Sequence, residues 1–142
     1  MSCLIDQISV FVENRPGKLA SIAEVMEAQM VNFLAFSIAE ADGFGLLRAV
    51  VSDPQAIVTV MRDLGYAVIT NKVIAVRMKD QPGGLKEIAN TLGEAQINVE
   101  YGYAYSKKDS AVLILRVDDA EKSVEVLKKA GFYLLDEEDL KA

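Results

Sequence analysis

Apolar and polar positions alternate from Ile8 to Val12, with Ile8, Val10 and Val12 on one side and Ser9 and Phe11 on the other, which predicts a strand. The run stops at Glu13-Asn14, turns through Arg15-Pro16-Gly17, and resumes with Leu19, Ile22, Ala23, Met26 and Met30 at three- and four-residue steps. That spacing predicts an amphipathic helix with Glu24 and Glu27 facing out. Asn32 opens a second strand, Phe33 to Ala39, Asp42-Gly43 signals a hairpin, and Leu46 to Val51 forms the third strand. Ser52-Asp53-Pro54 starts another helix, because the Asp53 carboxylate can accept from free amides and Pro54 suits a first turn. This helix is expected to turn Ile57, Val60, Met61 and Leu64 inward and to end at Gly65, with Tyr66 to Thr70 as the fourth strand.

The same order then recurs. Met78-Lys79-Asp80-Gln81-Pro82-Gly83-Gly84-Leu85 repeats the corner Val12 to Leu19, Pro82 lying 66 residues beyond Pro16. At that shift Ile74, Val76 and Met78 match the first strand, and Leu85, Ile88, Ala89 and Leu92 the first helix. Asn98 falls on Asn32, Val112 to Val117 on the third strand, Asp119 on Asp53, and Gly131-Phe132 on Gly65-Tyr66. The chain therefore divides into two repeats, expected at 1–70 and 71–142. Strand, helix, strand, strand, helix, strand is the order of a split βαβ unit. The predicted fold class is α+β: two tandem ferredoxin-like βαββαβ sandwiches, antiparallel sheets with both helices on one face.

Leu47, Ala49 and Val51 match Leu113, Leu115 and Val117 and are expected beneath the helices. The other side would hold Leu46, Arg48 and Val50 in one repeat and Val112, Ile114 and Arg116 in the other, with Leu34, Phe36 and Ile38 added from the second strand. So apolar a face is expected to be covered, through halves joined edge to edge and contact with another subunit, or in part by an irregular tail, Leu134 to Ala142. Tyr101, Tyr103 and Tyr105 stand where the first repeat has Ala35, Ser37 and Ala39. They form a packed sheet face or, alternatively, line a pocket that would make two ligand positions unequal.

Composition narrows the chemistry. With 51% hydrophobic and 25% charged residues, a chain of 142 can pack cores and is not disordered. No apolar run is long enough to cross a bilayer and Met1 to Asp6 has no basic segment followed by an apolar one, so a soluble cytoplasmic protein is expected, without a membrane partner. Net charge is −6 with no basic stripe, which argues against a nucleic-acid partner. Cys3 is the single cysteine and cannot form an internal disulfide; it reads as a semi-buried hydrophobe. The absence of histidine removes Ser-His and Cys-His nucleophile pairs and imidazole zinc sites. The acidic residues fall mostly on polar helix faces, so no catalytic residue, metal or cofactor is expected.

What remains is the repeated corner. Asn14 or Asp80 before X-Pro-Gly offers a side-chain oxygen that can cap free amides, and the following glycine admits a ligand where a Cβ would intrude. The helix start beyond it favours a carboxylate. The Asn14-Arg15-Pro16-Gly17 corner, Leu19, and Val31-Asn32 after the helix resemble the ACT domain family, and the resemblance covers the whole chain as two tandem copies. It implies ligand-sensing modules, usually for amino acids, associated with enzymes of amino-acid metabolism. It also implies ligands held by the first loop of one domain and the start of the second strand of its neighbour. Carried across, Asn14, Arg15 and Gly17 would bind in the first copy and Asp80 and Gly83 in the second, with Asn32 and Asn98 reaching in from the neighbouring domain. An amide side chain suits a zwitterion, accepting from ammonium and donating to carboxylate. The same residues could instead only cap helices or close left-handed turns. Val12 stands where serine-sensing members carry histidine.

The expected protein is a free-standing regulator that binds a small amino acid, forms a homodimer through sheet faces or edges, and signals to a metabolic enzyme or through its own assembly. Alternatives are a regulatory subunit held by an enzyme, such as that of acetolactate synthase, a small enzyme using paired carboxylates, and a purely structural dimerisation module.

Overall fold

The computed structural model describes residues 3–108 and 110–141. The elements are β1 (Ile5–Glu13), α1 (Lys18–Ala28), β2 (Phe33–Ala41), β3 (Phe44–Val51), α2 (Pro54–Asp63), β4 (Ala67–Met78), α3 (Gly84–Glu94), β5 (Val99–Lys107), β6 (Ser110–Val117), α4 (Ala120–Lys129), β7 (Leu134–Leu135) and α5 (Glu137–Lys141). Two compact units result. The first is Asp6–Asn71; the second joins Cys3, Leu4 and Ile5 to the described residues from Lys72 onward. Each has the ferredoxin-like βαββαβ plan that the repeat predicts.

In the first unit the strand order is β2-β3-β1-β4, with β3 antiparallel to both neighbours and Leu47 opposite Val10 and Ile38. Ile8, Val10, Leu47, Ala49 and Val51 form one side of the core, and Ile22 and Met26 from α1 with Ile57 and Met61 from α2 close over it. Both helices are amphipathic along that stripe, so burying it removes the apolar area that drives their packing. Asp53 caps α2 as expected: its Oδ1 accepts from the Ala56 N–H at 3.2 Å. In the second unit β6 lies between β5 and β4, and β7 pairs on the far side of β4, Ala75 opposite Leu135. Ile74, Val76, Leu113 and Leu115 meet Ile88, Leu92 and Leu127, and Cys3 and Leu4 pack against the same core.

The structure corrects several expectations. Along α2 the buried stripe is Ile57, Val58 and Met61, whereas Val60 is only partly buried and Leu64 is 59% exposed, because Leu64 forms the C-cap, past the last turn held against the sheet. Phe36 and Ile38 pair with Ala49 and Leu47 and so share the helix side instead of the opposite one. The cause is a register shift between Phe33 and Ala35, which adds a residue and moves the alternation by one. Phe33 and Phe36 consequently lie on the same side, ring centroids 5.3 Å apart. As β2 is the outermost strand of its unit, Phe36 and Ile38 stay about half exposed.

The side away from the helices is in large part closed. Arg48 there pairs with Ser9 and Ser37, and Val50, Val112 and Ile114 are no more than 2% exposed within the chain. On that face Phe11 is a large apolar side chain left open, 44% exposed opposite Leu46. In the second unit Tyr101, Tyr103 and Tyr105 share this side with Arg116, Ile114 and Val112.

The tail is not irregular: Leu134–Leu135 is the strand β7 and Glu137–Lys141 the helix α5, residue 142 lying outside the described residues. Asp136 Oδ1 accepts from the Asp139 N–H at 2.9 Å while Asp139 Oδ2 accepts from the Asp136 N–H at 3.0 Å, a reciprocal cap that starts α5. The Tyr133 hydroxyl donates to the same Oδ2 at 3.2 Å, and Leu140 is buried. Hydrogen bonding from the Asp136 backbone, then from Tyr133, holds the Asp139 carboxyl below its ordinary pKa, although desolvation opposes it. The bond to Asp139 pushes the Tyr133 hydroxyl above its ordinary value. A depressed carboxyl pKa stabilises the fold above the unfolded value and is lost as pH falls through the folded one; a raised phenol pKa stabilises below the unfolded value and is lost as pH rises through the folded one. Protection of the α5 amides, measured against their intrinsic exchange rates, is therefore expected to be greatest between those limits and to fall toward both strong acid and strong alkali. Protection that survives protonation of Asp139 would contradict this.

Candidate functional site

Each repeat enters its first helix through a left-handed glycine, Gly17 at φ 88° before α1 and Gly83 at φ 92° before α3. Neither helix has a side-chain cap bond, so Asn14 and Asp80 are not caps. The glycine turn replaces them: the Gly17 carbonyl accepts from the Ser21 N–H at 3.1 Å, and the Gly83 carbonyl from the Glu87 N–H at 3.2 Å. A side chain at either position would be strained.

Asn14 is exposed, and its backbone N–H donates to the Gly43 carbonyl at 3.2 Å, tying the corner to the β2–β3 hairpin. Arg15 turns back onto Glu13, Nε to Oε2 at 2.7 Å. Asp80 is exposed as well. Asn32 and Asn98 sit beyond the far ends of α1 and α3. Their backbones are clamped: Asn32 N–H donates to Ser52 Oγ at 2.9 Å and accepts at its carbonyl from the Ser52 N–H at 3.0 Å, while Asn98 does the same with Asp118, 3.1 Å each way. Among the described residues the side-chain amides of Asn14, Asn32 and Asn98 make no hydrogen bond. The left-handed turns after these helices belong to Met30 (φ 56°) and Gln96 (φ 61°), not to the asparagines.

An 11-residue helix separates the Asn14 corner from Asn32. At 1.5 Å per residue that is about 16 Å, too far for one free amino acid to touch both side chains of one unit.

A cavity borders each corner at the same place in the repeat. The first, about 420 Å³, is flanked by Glu13 and Lys18 on either side of the Asn14–Gly17 turn and walled by Phe11, Phe44 and Tyr66. The second, about 360 Å³, is lined by Arg77, Lys79, Glu87, Phe132 and Tyr133. Neither lining includes the asparagines themselves. The sequence reading missed Lys18, Tyr66 and their neighbours, although the constant 66-residue spacing of Gly65-Tyr66 and Gly131-Phe132 marked the segment that closes each cavity.

A family model described as an ACT domain pair matches residues 3–142. The chain belongs to the ACT domain pair family. ACT domains are regulatory modules. The structure is similar to that of protein BT0572 from Bacteroides thetaiotaomicron, with 32% identity and a TM-score of 0.92, covering 97% of this chain and 96% of that one. It also resembles the ligand-free regulatory subunit of aspartate kinase from Thermus thermophilus, at 13% identity and a TM-score of 0.66 over 90% and 94% of the two chains. The regulatory subunit of aspartate kinase from Thermus flavus gives 14% and 0.63 over 91% and 94%. At those identities the Thermus proteins share the ACT fold and nothing finer. No curated protein matches this ACT pair by sequence. Among its described residues no helix is long and apolar enough to cross a membrane.

Proposed function

We propose that this ACT domain pair is a cytoplasmic regulatory protein, not an enzyme, that binds a small amino acid at its Pro-Gly corners. It passes occupancy to a metabolic enzyme or to its own assembly. The observation that carries this reading is the pairing of an exposed corner, holding an unbonded polar side chain, with a cavity at the helix start in both repeats. Such a place offers free amide donors and partial positive charge to a carboxylate. The start of β2 from a second copy of the chain would bring Asn32 to the corner, since its own unit holds it too far away. A homodimer is thus part of the proposal. To act as a switch, the ligand must bind two arrangements of that assembly with unequal affinity. The fold shared with aspartate kinase regulatory subunits supports a role beside an enzyme of amino-acid metabolism.

Thermal denaturation against the twenty amino acids tests this. A ligand present at one hundred times its dissociation constant should add about 2.7 kcal/mol of stability. Asn14→Ala with Asn32→Ala is expected to reduce that gain, and further replacement of Asn98 by alanine to remove what remains, with the far-ultraviolet spectrum unchanged. A triple variant that responds like the parent would discard the asparagine assignment.

A further inference from the structure

The 66-residue shift pairs the two cavity linings position by position, and the pairs are chemically unlike. Phe11 corresponds to Arg77, Glu13 to Lys79, Lys18 to Gly84 and Phe44 to Ser110. Two aromatic rings thus give way to a guanidinium and a hydroxyl, and a carboxylate gives way to an ammonium. In the first cavity the Glu13 carboxylate is already engaged by Arg15 at 2.7 Å, which among the described residues leaves Lys18 as the unpaired ion of a wall of Phe11, Phe44, Tyr66 and aliphatic side chains.

The second cavity carries two cations and one carboxylate. Among the described residues the side chains of Lys79 and Glu87 make no hydrogen bond or ion pair. The Arg77 guanidinium lies 4.4 Å from the centre of the Tyr133 ring, a stack that fixes its plane and leaves its edge donors for a carboxylate. Asp139 lies within the field of Arg77, but its Oδ2 is already committed to the Asp136 amide and the Tyr133 hydroxyl. Two unspent cations and one unspent anion around about 360 Å³ match the two carboxylates and one ammonium of an amino dicarboxylate.

We propose that the second cavity selects an acidic amino acid, of the aspartate and glutamate class, with Arg77 and Lys79 holding its carboxylates and Glu87 its ammonium. The first cavity takes an amino acid with an uncharged side chain, its carboxylate on Lys18. The proposal rests on the reading that this chain binds amino acids and adds which kind each repeat accepts. The pair then reports on two ligands, not on one ligand twice.

Calorimetric titration of the full chain with L-aspartate, L-glutamate, L-leucine and succinate tests it. An acidic amino acid is expected to bind, with Arg77→Gln and Lys79→Gln each weakening it about tenfold while leaving L-leucine unaffected. Succinate, which lacks the ammonium group, is expected to bind more weakly than L-aspartate, and Glu87→Gln to erase that difference. Acidic amino acids that bind no better than L-leucine, or that respond to Lys18→Gln and not to Lys79→Gln, would overturn this assignment while leaving an amino-acid sensor in place. Failure of all twenty amino acids to bind would overturn the sensor as well.

Discussion

Replacing Ile57 with alanine is expected to lower unfolding free energy by about 2–5 kcal/mol, the range for emptying a large aliphatic site in a closed core. Ile57 is completely buried, on the stripe of α2 that meets Ile8, Val10, Leu47 and Ala49 in the first unit's core. The neighbouring strands cannot collapse into the space without breaking their ladder, so the cavity term adds to the lost transfer energy. Leu64→Ala is the matched control. That side chain is 59% exposed and caps the helix, so its loss should stay within about 0.5 kcal/mol. Urea unfolding of both variants measures the contrast. Equal losses would mean that the inward stripe runs through Leu64 after all.

Two glycines of α3 should respond to the same substitution with opposite signs. A Cβ built at Gly84 would stand 2.1 Å from the Lys79 carbonyl oxygen and 3.3 Å from Met78 Cγ. The first of these is backbone and cannot swing aside, so Gly84→Ala is expected to cost about 1–3 kcal/mol or more as the corner and the helix start are forced apart. At Gly93, near the other end of the helix, nothing lies within 4 Å, and alanine there should gain about 0.4–1 kcal/mol by restricting the unfolded chain. Melting temperatures of the two variants decide the matter, and a neutral Gly84→Ala would show that strand end and helix start are not pressed together. The first repeat has Lys18 at the position of Gly84. That difference accompanies the larger of the two cavities.

The architecture was legible because it is written twice. Alternation in Ile8 to Val12 and helical spacing in Leu19 to Met26 are local signals, and their recurrence 66 residues later separates pattern from accident. Asp53 and Asp119 cap their helices through Oδ1 at 3.2 and 3.0 Å, since capping depends on a residue and its next three neighbours. What failed was non-local or cumulative. A single register shift near Phe33 moved Phe36 and Ile38 to the other side of the sheet, and alternation alone carries no mark of where a strand slips. Leu134 and Leu135 fall on Val68 and Ile69 of the first repeat, but Glu137 to Lys141 is too short for a periodic signal, so its helix rests on the reciprocal cap of Asp136 and Asp139 and the contact of Tyr133 with Asp139. At the candidate site, the Pro-Gly corners stood out in the sequence. The aromatic and charged walls beside them did not, because Tyr66 and Phe132 reach the corner only through the folded chain.

The packing of Cys3 and Leu4 against the second core, with the whole first unit threaded between, orders the events of synthesis. Asp6–Asn71 is contiguous and can assemble as soon as it clears the ribosome, whereas its successor must wait for Lys72 onward and then recapture Cys3, Leu4 and Ile5, made before the first unit. The later unit therefore closes a loop dozens of residues long and should be the slower to mature. A bulky fusion placed just before Cys3 would delay the unit that Cys3 joins more than the contiguous unit Asp6–Asn71.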